Sequence, residues 1–143
     1  MKKIILIILV SFIVQGCSTN TVNKTNLISN VNSSQVLLSF YRVKSLDLIG
    51  TRHVIQVDGT TVTKLQVGAA SQVVVTPGRH ELYVYNEGNS LFGAFSKRVT
   101  LDFKGGEKYY FSVGPSKDGS GSSNMGPSFS KVPENIWLGF LSK

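Results

Sequence analysis

Few side chains in this chain can do chemistry. It holds two histidines, His53 and His80, one cysteine, Cys17, and eight carboxylate side chains. A zinc site takes three or four ligands from His, Cys, Asp or Glu. Neither histidine has a second histidine or a Cys-x-x-Cys pair close to it in the chain. A serine nucleophile needs a histidine and a carboxylate converging on it. The run Gly-Ser-Gly-Ser-Ser at 119–123 lacks the preceding strand and following helix that a nucleophile elbow requires. The carboxylates are dispersed, so no glycosidase-like pair stands out. The inventory predicts no catalytic residue, no metal and no cofactor, and so a protein that is not an enzyme.

What remains is binding chemistry. Arg42 sits among aromatic and aliphatic neighbours, where its guanidinium has three options: a phosphate or carboxylate ligand, an internal partner such as Glu81 or Asp102, or solvent. Tyr83 and Tyr85 alternate with Leu82 and Val84. They therefore share the face of their strand opposite the core. There they suit either stacking on a sugar ring or protein partner, or cross-strand packing. His80 follows Thr76-Pro77-Gly78-Arg79 and shares the Leu82 face. Its ring is expected at the rim of the core, donating to a loop carbonyl and pinning the turn.

The lone thiol has its own logic. Lys2 and Lys3 precede an apolar run, Ile4 to Val14, interrupted only by Ser11. That run is too short to span a bilayer, which takes about 20 residues, and has the length of a signal-peptide core. The sequence Val14-Gln15-Gly16-Cys17 after it resembles the lipobox of bacterial lipoproteins. The resemblance implies cleavage between Gly16 and Cys17 and a diacylglyceryl group on the Cys17 sulfur, which would anchor the protein to a membrane. An unpaired cysteine is a liability in an exported protein, and acylation consumes it. Ser18 stands where an aspartate would retain such a protein in the inner membrane. The implied location is therefore the outer membrane, facing the periplasm, or the cell surface in an organism with one membrane. Export takes the chain away from nucleic acid.

The elements that position these residues follow from pattern. Residues 17–34 are rich in Ser, Thr and Asn and read as a flexible tether that would let the domain range tens of ångströms from the bilayer. From Gln35 onward, β-branched and aromatic runs alternate with turn residues. "HVIQV" and "TVTKL" flank Asp58-Gly59, a strong hairpin signal. "SQVVV" and "HELYVY" flank Pro77-Gly78, where proline presets φ and glycine supplies φ > 0. "VLLSFYRV", "KRVTLDF" and "KYYFSVG" complete about seven short strands with no helical period between them. That predicts an all-β fold, a small antiparallel β-sandwich over residues 35–114. A Gly/Ser-rich loop is expected over 115–130. An apolar segment, 131–143, is expected to dock on the domain as a last strand or short helix.

"FYRV" at 40–43, "VDG" at 57–59, "VTPGRHEL" at 75–82 and "GGEKYYFSVG" at 105–114 together resemble the domain of unknown function 2846 family. These are small lipoproteins and exported proteins of bacteria. The resemblance covers residues 35–114 and implies an all-β sandwich with no known activity.

The formal charge is +7, and losing Lys2 and Lys3 with the signal takes it to +5. A positive surface in the envelope favours lipopolysaccharide phosphates, peptidoglycan or acidic glycans, although the basic residues are scattered and also serve solubility. Two functions stand. One is a non-enzymatic interaction or accessory module; the other is a module binding an anionic envelope ligand.

Overall fold

The computed structural model describes residues 27–44, 51–88, 96–115 and 127–142. The signal peptide, Gly16, Cys17 and most of the tether lie outside the described residues, as does most of the Gly/Ser-rich loop. Eight strands form two four-stranded sheets. In chain order they are β1 (Val36–Arg42), β2 (Arg52–Val57), β3 (Thr60–Leu65), β4 (Ala70–Val75), β5 (Gly78–Glu87), β6 (Ser96–Phe103), β7 (Lys108–Pro115) and β8 (Pro127–Lys131), followed by helix α1 (Glu134–Phe140). One sheet runs β4-β1-β7-β8 and the other β3-β2-β5-β6. The fold is an all-β sandwich, with seven of its strands where the alternation of the sequence puts them.

The pairing departs from a purely antiparallel sandwich in one place. β1 and β7 run parallel, with Leu38 beside Tyr109 and Phe40 beside Phe111. Parallel neighbours need a long crossover. Here the chain between β1 and β7 supplies it by passing through every strand of the opposite sheet. All other pairs are antiparallel. The eighth strand comes from the end of the loop, where Pro127–Lys131 pairs with β7.

β1 is buried along its whole length. Val36, Leu38 and Phe40 face the interior with Ile55, Leu82, Val84, Phe103 and Phe111. Each fully buried side chain of this kind contributes about 1.5–3 kcal/mol. The alternate β1 residue Tyr41 lies on the outer side in a second cluster with Ala70, Tyr110 and Trp137. Residues 131–143 therefore supply the end of β8 and then α1, which covers this sheet. Pro133, at φ −62°, starts the helix. Trp137 is fully buried, the Phe140 ring stacks on Tyr41 at 4.5 Å, and the Tyr110 hydroxyl donates to Glu134 at 2.6 Å.

Residues 27–34, which composition assigns to the tether, lie along the domain instead. Leu27 packs against the second cluster, and the Ile28 N–H donates to Gln72 Oε1 at 2.8 Å. A turn at Asn32–Gln35 then brings the Ser33 carbonyl against Gly105 so closely that a Cβ there would collide with it. Apolar Leu27 and a turn fitted to glycine override the polar composition.

Candidate functional site

The sequence-predicted site residues lie at the two ends of the sandwich and on the outer face of the sheet β3-β2-β5-β6, with Arg42 contributed by β1 of the opposite sheet. At the first end, Asp58 (φ 50°) and Gly59 (φ 78°) form the β2–β3 turn, both at positive φ. This is the geometry of the two-residue hairpin turn that Asp-Gly favours. The Asp58 carboxylate then does two jobs. Oδ1 accepts from the Glu81 N–H at 2.9 Å, and Oδ2 meets His80 Nδ1 at 2.6 Å. The other ring nitrogen, Nε2, meets the Thr76 carbonyl at 2.9 Å. One histidine thus ties the β2–β3 turn to the β4–β5 turn at Pro77 and Gly78.

The charge state follows from the partners. A carboxylate and a carbonyl only accept, so both ring nitrogens must donate and the imidazole is cationic in this arrangement. Partial burial works against that charge, but the Asp58 and Thr76 contacts outweigh it and raise the His80 pKa. The Glu81 N–H, followed by the His80 contact, lowers that of Asp58. An Asp–His pair is two thirds of a catalytic triad, whose remaining nitrogen must face the nucleophile. Here that nitrogen is engaged by a main-chain carbonyl, so the pair fastens two turns and is not a general base.

The opposite end is built around Arg42, which is 1% exposed. Nη1 donates to the Thr51 carbonyl at 2.5 Å and the Leu65 carbonyl at 3.1 Å; Nη2 donates to Thr51 Oγ1 at 3.0 Å. Arg42 is therefore not presented to a ligand in solvent, which corrects that option. Its described partners are also not Glu81, which pairs with Arg98 instead. Burial lowers its pKa to about 10, which leaves it charged at neutral pH. His53 stands nearby and is fully buried. Burial first, and then the Arg42 charge, push its pKa down to about 4, with the Asn86 amide opposing. Asn86 is its register partner across β2–β5 and lies near enough to favour the charged ring weakly, but the geometry closes no hydrogen bond between them, and neither side chain has another hydrogen-bond partner among the described residues.

The outer face of the same sheet carries Tyr83 and Tyr85, with ring centroids 5.5 Å apart. They point away from the core, as their alternation requires, and both are half-buried. Arg98, the β6 register partner of Tyr83, holds its guanidinium 4.7 Å from that ring's centroid and its Nη1 2.7 Å from Glu81. Lys64 pairs with Glu87 at 2.7 Å on the same face. In the sequence Arg98 is only the second half of the basic pair Lys97-Arg98. The signal that places it beside Tyr83 is strand register, which no local pattern carries.

Among the described residues no three of His, Cys, Asp and Glu gather in a way that could hold a metal ion. Comparison of the chain with protein-family models and with curated proteins finds no match to either.

Proposed function

We propose that the protein is an exported lipoprotein, anchored to the outer membrane through acylated Cys17, whose sandwich serves as a non-enzymatic interaction module of the cell envelope. The observation that carries this reading is the contrast between its two outer faces. α1 and Leu27 cover one sheet with an apolar layer. The other carries Tyr83, Tyr85 and Arg98, with the Arg98 side chain 59% exposed. Paired tyrosines beside an arginine are the residue types enriched where proteins meet. The domain of unknown function 2846 resemblance and the lipobox belong to this proposal.

The test has two arms. Metabolic labelling with a palmitate analogue should mark the wild type and not Cys17→Ser. A photo-crosslinking residue at Tyr83 should capture one envelope protein in intact cells, and the same residue at exposed Ile136 should not. Equal capture from both positions would remove the outer face from the proposal.

A second reading has one observation behind it. A guanidinium over an aromatic ring is a site that an acidic sugar can share, by stacking and charge together. In that case peptidoglycan or lipopolysaccharide would bind in a salt-sensitive way, and Arg98→Ala would abolish the salt dependence.

A further inference from the structure

The two sheets part along β6 and β8, the edge strands on one side of the sandwich, and leave a crevice of about 220 Å³. Its walls are Val99, Leu101 and Phe103 from β6, Tyr109 and Phe111 from β7, and Phe129 from β8. Phe103 packs edge-on to Tyr109 at 4.7 Å and Phe111 edge-on to Phe129 at 6.1 Å, so the rings form a fixed lining. Two charged residues complete it, Asp102 and Lys131.

Those two charges are not equivalent. Asp102 has Arg79 as its register partner, which places a cation beside it on the next strand. Lys131 is the register partner of core-facing Phe111, so its side chain starts on the interior side of β8. Its ammonium reaches to 4.8 Å from the Tyr109 ring centroid. It makes no ion pair among the described residues. An apolar slot with a cation over its lining suits a molecule with an apolar tail and an anionic head.

A polypeptide strand is the rival occupant, and the edges argue against it. β6 exposes Lys97 and Arg98 in succession. Lys97, the partner of core-facing Val84, starts on the interior side, as Lys131 does on β8. Charges on an edge strand, especially inward-pointing ones, discourage strand addition. The volume also falls short of the roughly 300–1,000 Å³ of drug-sized pockets. A short aliphatic chain enters between the sheets without needing either edge.

We propose that the crevice between β6 and β8 binds a short-chain aliphatic carboxylate, with Lys131 receiving the carboxylate and Phe103 and Phe129 flanking the aliphatic tail. This site is independent of the outer-face reading, since none of its residues is Tyr83, Tyr85 or Arg98.

The probe is ¹³C-labelled octanoate, with octanol as its uncharged counterpart, titrated into the full-length protein and followed by NMR. Nuclear Overhauser contacts from the chain methylenes to the rings of Phe103 and Phe129 are expected. Lys131→Ala should weaken octanoate by about fivefold, the effect of one solvent-facing ion pair, and leave octanol unchanged. Leu101→Trp should fill the slot and abolish both; since a bulky residue can disturb the fold, the wild-type ring contacts stand as the independent measurement. Absence of those contacts at millimolar octanoate would overturn the proposal, as would an equal loss of octanol and octanoate in Lys131→Ala. A phenylalanine-containing peptide that shifts the β6 amides while octanoate does not would assign the crevice to a polypeptide and also overturn it.

Discussion

His53 and His80 stand at opposite ends of one sheet, on neighbouring strands, and both belong to the interior side of the sandwich. His80 sits at a rim where a carboxylate and a carbonyl take its two protons, so it is stabilised as a cation. His53 sits fully buried near the Arg42 guanidinium with no hydrogen-bond partner among the described residues, and burial and then the Arg42 charge hold it neutral. The same residue type serves as a charged clasp at one end and a neutral core group at the other. What differs is the supply of acceptors, since a buried charge persists only where partners replace its water.

The largest break in this comparison comes from Arg42. Arg42→Ala should cost about 3–5 kcal/mol, because it opens a large cavity and strands buried main-chain carbonyls. Urea unfolding should show a much lower midpoint, and a loss below about 1 kcal/mol would mean that the cluster does not support this end. Acid should act next. Unfolded histidine titrates near 6.5 and native His53 at about 4, so between them the unfolded chain binds a proton the native one refuses. Stability should fall as the pH drops through that window, by about 3 kcal/mol in all. His53→Phe removes the difference and should flatten that limb of the stability profile.

The His80 end should respond more weakly and with the opposite sign. A raised native pKa means that its contribution is complete below the unfolded value of 6.5 and fades as pH rises through the native value. Asp58→Asn and His80→Gln should each cost about 1 kcal/mol, solvent screening limiting an exposed pair. For His80→Gln the deficit should be larger near pH 6 than near pH 9. A deficit that grows with pH would reverse the assignment of charge. Tyr83→Ala should have the smallest effect on stability, about 0.2–1 kcal/mol from its cross-strand neighbours. Its larger consequence should be loss of the crosslinked partner.

Seven strands were legible because β5, β6 and β7 alternate apolar with polar residues, β1 and β4 are β-branched and aromatic runs, and Asp58-Gly59 and Pro77-Gly78 mark reversals between strands. β8 was not, since "PSFSK" offers Phe129 alone as an apolar anchor and its pairing depends on β7. Both turns at the His80 end were legible separately. Their connection was not, because it requires β2 and β5 to be neighbours, a fact of the sheet order. Arg42 was ambiguous for a related reason. Its described acceptors are largely main-chain carbonyls, which every residue has, so no side-chain pattern in the sequence announces them.

Leu27 is held against the domain, and its seat there sets a geometric limit. A lipid on Cys17 would leave ten residues to reach Leu27. Fully stretched, such a segment covers about 35 Å, and a relaxed coil of that length covers roughly half as much. The sandwich would then ride close to the leaflet holding its acyl chains, within a few nanometres of the lipid headgroups. An envelope partner would then have to come to the membrane to be met.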